Sequence, residues 1–110
     1  MQGKKRTVGI IGIGHVGAHV AYSLAVQGIA DEIILVDRER KKADCEAQDV
    51  MDSVCYLPHR VEVRSGDFPD LKDCDVLVNS AGHIQLLATG NKSRLEEMDF
   101  TIRAVNGYVD

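Results

Sequence analysis

The segment from Thr7 to Asp37 most strongly limits what this chain can fold into. It reads TVGIIGIGHVGAHVAYSLAVQGIADEIILVD, with three glycines spaced G-x-G-x-x-G between a short apolar run and an amphipathic stretch. A second apolar run ends on Asp37, about 20 positions beyond Gly17. Strand, glycine turn, helix, strand and acidic residue, in that order, form the dinucleotide-binding fingerprint. The segment therefore predicts a βαβ unit that binds a dinucleotide.

Each part of this fingerprint has a physical task. Gly12 allows a sharp turn after the strand, Gly14 leaves room for a pyrophosphate at the backbone, and Gly17 allows the helix to pack closely on the strand. The helix N-terminus offers free N–H groups and about half a positive charge, which suits a phosphate. Asp37 is placed to bind both ribose hydroxyls and to repel a 2′-phosphate, which favours NAD over NADP. The neighbouring Arg38 weakens that preference.

The alternative is a glycine-rich strand-to-helix turn that binds no nucleotide. Against it stands the acidic residue after the second strand, for which the sequence offers no structural reason. His15 lies within the turn and is a candidate cofactor-binding residue. For His15 and His19, a solvent-facing or hydrogen-bonded polar side chain is the alternative interpretation.

The remaining apolar runs predict an α/β fold with a Rossmann-type, doubly wound parallel sheet of about four strands in the order 3-2-1-4. The first and fourth strands are apolar without alternation and are expected to be buried. The fourth ends at the small-residue turn Ser80-Ala81-Gly82, and a capping box at Ser93 and Glu96 begins a last amphipathic helix. The strands are predicted over 7–11, 32–36, 60–64 and 75–79, the helices over 16–27 and 38–54, and a short helical turn over 69–73.

Composition limits the class of protein and its partners. The 110 residues carry a formal charge of −4 and are 45% hydrophobic, as expected of one soluble domain. The acidic balance argues against nucleic acid, and the short apolar run behind the basic start predicts neither a signal peptide nor a membrane span. The odd set Cys45, Cys55 and Cys74 lacks metal-ligand spacing, and the four histidines are scattered. We therefore expect no metal site, and reduced thiols in a cytoplasmic protein.

With the glycine turn, the Val36-Asp37 ending and the small-residue turn in view, the chain resembles the lactate/malate dehydrogenase family. The resemblance covers nearly all of the chain and includes KDCDVLVNSAG and the loop that ends in SRLEEMDF. The first glycine-rich stretch is similar to the start of bacterial L-lactate or L-2-hydroxyisocaproate dehydrogenases. The resemblance implies the N-terminal, NAD-binding portion of such an enzyme, a 2-keto or 2-hydroxy acid as substrate, and a homo-oligomer.

The resemblance also implies roles for individual positions. Lys42 and Phe68 would flank the adenosine, although a solvated lysine is an equal alternative for Lys42. Arg94 matches an arginine that, in the family, polarises the ketone oxygen of the substrate when a lid, here residues 83–94, closes. Gln85 matches the position that is glutamine in lactate dehydrogenases and arginine in malate dehydrogenases. The implied cofactor-binding residues are Gly12, Gly14, His15, Val16, Gly17, Asp37, Lys42, Phe68, Ala81, Gly82 and His83.

The lid departs from the family pattern in two ways. The family's proline-glycine-glutamate run is replaced by the segment Thr89–Ser93, and Leu86, Leu87 and Ala88 lengthen the lid. A longer, more apolar lid suits a larger, branched 2-keto acid, so the substrate is expected to differ from pyruvate. Without the resemblance, Arg94 would be interpreted as a solvated arginine at a helix start.

The third departure is length. The family's histidine general acid/base, its orienting aspartate and its carboxylate-binding arginine all lie beyond the last residue, so the catalytic domain is expected to be absent and the piece inactive. The fourth strand would then expose an apolar edge, which we expect another copy to cover. Two alternatives remain: a stand-alone nucleotide-sensing domain, which has no need of a lid arginine, and a domain that keeps the fold without binding a nucleotide.

Overall fold

The structure is a computed structural model that describes residues 5–58 and 60–81. By its internal contacts the chain divides into two units, Met1–Ser80 and Ala81–Asp110, and every described residue except Ala81 belongs to the first. The last predicted helix and most of the predicted lid lie outside the described residues.

The first unit is built on one parallel sheet of four strands in the order β3-β2-β1-β4. All three neighbouring pairs are parallel, so each connection has to cross back over the sheet. The predicted fold class and strand order are confirmed. The strands are β1 (Thr7–Ile11), β2 (Glu32–Val36), β3 (Glu62–Ser65) and β4 (Val76–Asn79).

Two helices and one short 3-10 helix form the connections. These are α1 (His15–Gln27), α2 (Arg40–Val54) and the 3-10 helix (Phe68–Asp73). Gly28 ends α1 with φ 68°, in the left-handed region that favours glycine, and its N–H bonds carbonyls of the last turn. The predicted end of α1 is therefore confirmed.

The second helix begins two residues later than predicted, at Arg40 instead of Arg38. The reason is a side chain: Asp37 Oδ1 accepts a hydrogen bond of 2.9 Å from the N–H of Glu39. An aspartate that bonds the backbone two residues on forms a turn, which competes with helix.

The core lies between α1, α2 and one face of the sheet. Val8, Ile10, Ile33, Leu35 and Val63 form the sheet side of this core. Small residues form the helix side, which allows the helices to approach closely: Ala21 and Ala25 in α1, and Ala43 and Ala47 in α2.

The helical spacing of Val16, Val20 and Leu24 predicts one shared apolar face of α1, but Val16 does not belong to the core. Its side chain is 66% exposed, because the first turn of α1 lies at the end of the sheet, where the core stops. The buried residues of α1 are Gly17, Ala21 and Ala25.

The prediction that β4 is a buried strand is also wrong. Val76 and Leu77 are 54% and 53% exposed. In the described part of the chain β4 pairs with β1 alone, so it is the edge strand of the sheet. An apolar edge was expected from the sequence, whereas its coverage by another copy stays a prediction.

Candidate functional site

The carboxyl ends of the four strands meet at one edge of the sheet, where ligands bind in doubly wound folds. Backbone hydrogen bonds of 2.9 Å extend the pairing one residue beyond the strands. Gly12 N–H donates to Val36, Ser80 N–H donates to Ile11, and Gly66 N–H donates to Leu35. The residues that leave the sheet are therefore held in register with one another, which gives the site a fixed base.

The glycine turn lies at the end of β1, and the geometry at its glycines fits the sequence prediction. Gly12 adopts φ 87°, which side chains rarely allow. A Cβ at Gly14 would meet nothing within 4 Å, so the space beside it is open. A Cβ at Gly17 would collide with the Gly12 carbonyl and lie 2.8 Å from Ser80 Oγ. The sequence predicted that Gly17 lets α1 pack closely on β1. In the structure Gly17 also lets α1 approach the glycine turn and the residue after β4.

The first turn of α1 carries the positive end of the helix dipole. Gly14 is the N-cap, with no side-chain cap, and the first turn contains no acidic residue. The first N–H groups of any α-helix lack intrahelical acceptors. His15 and Val16 are both exposed here. This end of α1 therefore offers free donors and a partial positive charge to an anion.

Asp37 lies at the mouth of the glycine turn, as the fingerprint requires. Its Oδ2 accepts a hydrogen bond of 2.7 Å from the N–H of Ile13, and its Oδ1 accepts the N–H of Glu39. The side chain is half-buried. The expectation that this acid has no structural task is wrong, because it holds the turn from β2. Each carboxylate oxygen has a further lone pair, so Asp37 can also accept hydrogen bonds from hydroxyl groups.

Of the other residues predicted from the sequence, the structure describes some and not others. Lys42 is exposed in the first turn of α2, and Phe68 begins the 3-10 helix, so both follow carboxyl ends of strands. Ala81 comes directly after Ser80 and is the last described residue. Gly82, His83, Gln85 and Arg94 lie outside the described residues.

Two residues that sequence reasoning missed are prominent at this edge. Ser80 Oγ lies 2.5 Å from the Gly12 carbonyl oxygen and 3.0 Å from that of Ile11, so these two acceptors share its one proton. Arg40 bonds Asp44 through Nε and Asp67 through Nη1, at 3.3 and 3.1 Å, which joins the start of α2 to the segment after β3. The i,i+4 spacing of Arg40 and Asp44 is the signal that could have identified this pair. Ser80 offers no comparable local signal.

Charge at the Arg40 cluster follows from these contacts. Hydrogen bonding to Asp44 raises the pKa of Arg40. The Ser65 hydroxyl, which bonds the same carboxylate, is the main cause that lowers the pKa of Asp44. Arg40 and Asp44 therefore stay ionised at neutral pH.

Other chemistry finds little support in the described residues. They contain no group of three or more histidine, cysteine, aspartate or glutamate side chains that could hold a metal ion. Burial raises the pKa of the Cys74 thiol, which lowers its reactivity. None of the described helices is long and apolar enough to cross a membrane. A groove between α1 and α2, lined by residues such as His19, Tyr22 and Glu46, includes no residue of the glycine turn.

Comparison with known proteins agrees with the geometry. The family model for the NAD-binding domain of lactate/malate dehydrogenases matches residues 6–101. The L-lactate dehydrogenase of Fusobacterium nucleatum is 43% identical over 104 residues, which are 94% of this chain and 31% of that protein. L-lactate dehydrogenase 1 of Bifidobacterium longum is 35% identical over 106 residues, which are 96% of this chain and 33% of that protein.

Solved structures show the same likeness. The minor L-lactate dehydrogenase of Enterococcus mundtii, in a ligand-bound form, matches with a TM-score of 0.78 at 33% identity, over 86% of this chain and 29% of that one. A lactate dehydrogenase from a deep-sea metagenome library matches with a TM-score of 0.80 at 27% identity, over 93% and 32%. The chain spans about a third of the length of the relatives that it matches.

Proposed function

Because the chain belongs to the lactate/malate dehydrogenase family, we propose that it supplies the NAD-binding part of an L-2-hydroxy acid dehydrogenase. The observation that carries this proposal is the pairing of an open, uncapped helix N-terminus with an acidic side chain at one turn. These are the two groups that a dinucleotide requires, a donor set for its pyrophosphate and an acceptor for its ribose.

The described residues fit such a cofactor. The N–H groups at the start of α1 would bind the pyrophosphate, and the open space beside Gly14 would admit it. Asp37 would accept hydrogen bonds from the ribose hydroxyls, and its negative charge disfavours a 2′-phosphate. Lys42 and Phe68 would border the adenosine half. NAD, when bound, supplies a carbon that accepts or donates hydride.

The substrate side of the proposal depends on the family resemblance. Arg94 would place a cation at the ketone oxygen, where charge develops in the transition state. Gln85, being neutral, favours a substrate with a single carboxylate. The additional Leu86, Leu87 and Ala88 favour a branched 2-keto acid over pyruvate. Gly82 and His83 would run along the cofactor.

The 110-residue chain alone is expected to bind NADH but not to turn over a 2-keto acid. None of its histidines matches the family's general acid/base, so a proton donor to the developing alkoxide is lacking. We expect the parent enzyme to be cytoplasmic and homo-oligomeric. Activity would require the remaining two thirds of the family's length.

A chimera tests this function. The chain would replace the matching segment of the Fusobacterium nucleatum enzyme, and NADH oxidation would be measured with pyruvate and with 4-methyl-2-oxopentanoate. We expect activity that is lost in the chimera with Arg94→Ala, and a preference for the branched substrate. A folded, NADH-binding chimera without activity on any 2-keto acid would contradict the proposed function and favour a nucleotide-sensing domain. A preference for pyruvate would remove the branched-substrate proposal alone.

A further inference from the structure

The peptide group between Gly12 and Ile13 is held at both of its polar ends. Its carbonyl, on Gly12, accepts a hydrogen bond of 2.5 Å from Ser80 Oγ. Its N–H, on Ile13, donates a hydrogen bond of 2.7 Å to Asp37 Oδ2. The C=O and N–H of a trans peptide point in opposite directions. One peptide group of the glycine turn therefore connects the end of β2, through Asp37, with the end of β4, through Ser80.

The orientation of this peptide group is not fixed by the backbone alone, because it follows a glycine. Gly12 has φ 87°, and glycine visits many other backbone conformations at little cost. Rotation of the peptide group would re-aim the backbone that follows it, which includes Gly14 and the start of α1. A binding surface that is already ordered binds more tightly, because less conformational entropy is lost on binding.

The Ser80 hydroxyl lies close to α1 as well as to the glycine turn. A Cβ placed on Gly17 would lie 2.8 Å from Ser80 Oγ, so the two residues approach closely. Ser80 Oγ is also 3.0 Å from the Ile11 carbonyl, at the last residue of β1. The hydroxyl thus contacts both the end of the central strand and the first residue of the turn.

We propose that Ser80 is a positioning residue for the cofactor: its hydroxyl, acting opposite Asp37, holds the Gly12–Ile13 peptide in the orientation that receives the pyrophosphate. The inference rests on the proposed function, and it names a residue of that site outside the glycine fingerprint. Ser80 acts through the peptide group and is not a catalytic residue.

The first test is NADH affinity, measured by fluorescence titration of the chain and its variants. Ser80→Ala removes the donor, and we expect the affinity to fall roughly fivefold, the effect of one net hydrogen bond. Ser80→Thr keeps the hydroxyl and should restore affinity to within about twofold. Ser80→Cys, a weak donor, should lie between them. The matched control is Ser53→Ala, which removes a side-chain bond of 2.9 Å to the Asp49 carbonyl within α2.

Two further readouts separate positioning from general stability. Adenosine, which lacks the pyrophosphate, should lose less affinity than NADH in Ser80→Ala, whereas a loss of overall stability would weaken both alike. The amide proton resonance of Ile13 should shift in Ser80→Ala and not in Ser53→Ala, because bonds through one peptide group polarise each other.

The outcomes distinguish this inference from the function on which it rests. If the unchanged chain binds NADH and Ser80→Ala binds it equally well, the inference is overturned and the proposed function stands. Equal weakening by Ser80→Thr and Ser80→Ala also overturns it, since the hydroxyl would not matter. If the unchanged chain shows no saturable NADH binding, the proposed function fails and the inference falls with it.

Discussion

Two acidic side chains at opposite ends of the strands, Asp31 and Asp37, are bonded in different ways. At the amino edge, Asp31 is bonded by the backbone N–H of Arg6 at 2.7 Å and by its guanidinium at 3.1 and 3.2 Å. Beside it, Asp75 accepts the N–H of Thr7 at 2.9 Å and returns a backbone bond of 2.8 Å to the same residue. These contacts join the starts of β1, β2 and β4.

At the carboxyl edge, the described hydrogen bonds of the Asp37 side chain come from backbone N–H groups, and α1 begins without an acidic residue in its first turn. Asp31 is paired with a cation, whereas no cation is paired with Asp37 in its described contacts. We expect contacts at the amino ends of the strands to contribute stability and those at the carboxyl ends to serve binding, because doubly wound sheets bind their ligands beyond the carboxyl ends of the strands. Substitutions at the two edges should therefore separate stability from binding.

The largest expected effect is that of Gly17→Ala, which should reduce both stability and NADH binding. The new Cβ would collide with backbone at Gly12 and with Ser80 Oγ, so α1 has to move away from the turn. We expect a loss of about 2 kcal/mol in the free energy of unfolding and loss of NADH binding. Urea denaturation and fluorescence titration measure the two quantities. Stability equal to that of the unchanged chain would show that α1 does not pack as described.

The next effect is that of Asp37→Asn, which should affect binding more than stability. An amide oxygen can replace one acceptor, while its NH₂ group opposes the other N–H donor. We expect about 1 kcal/mol lower stability and a weaker preference for NADH over NADPH, because the repelling charge is gone. Titrating both cofactors against the same variant checks this. An unchanged ratio of the two affinities would remove Asp37 from cofactor selection.

Gly14→Ser should separate the two properties completely. The space at Gly14 is open and serine is a preferred N-cap, so stability should be equal or slightly higher. The same hydroxyl would occupy the N–H groups that the pyrophosphate needs, and we expect NADH affinity to fall about tenfold. Thermal unfolding alongside NADH titration gives the answer. A variant that binds NADH normally would place the pyrophosphate elsewhere.

The smallest effect belongs to the amino edge and depends on pH. Hydrogen bonding to Arg6 lowers the pKa of Asp31. A carboxyl group with a lower pKa in the folded state adds stability above its unfolded pKa, about 3.9, and that stability is lost as pH falls through the folded value. Asp31→Asn should therefore reduce stability at pH 7 and cost less at pH 3, with NADH affinity at pH 7 unchanged. Urea denaturation at both pH values tests it.

The control for that measurement is Asp52→Asn, at an exposed carboxylate bonded to the neutral amide of Gln48. A smaller loss is expected from this change, since no cation is paired with the carboxylate in its described contact. Weaker NADH binding in Asp31→Asn would contradict the separation of the two edges.

What the sequence determined by itself is the set of local patterns and their immediate consequence. Apolar runs, glycine spacing and the acid at the end of β2 were sufficient for the fold class, the strand order 3-2-1-4 and the sharp turn at Gly12. These follow because a parallel sheet with short connections allows few topologies, and because a positive φ such as that of Gly12 favours glycine.

What only the tertiary structure decided is which groups meet across the chain. Asp37 bonds Ile13 24 residues away, and Ser80 bonds Gly12 68 residues away, and no periodicity encodes either contact. The exposure of β4 was mispredicted for the same reason, since an apolar strand is buried only if another element packs against it. Sequence patterns report local conformation and the sides of elements, whereas the hydrogen bonds that aim the glycine turn form only once three strand ends are brought together.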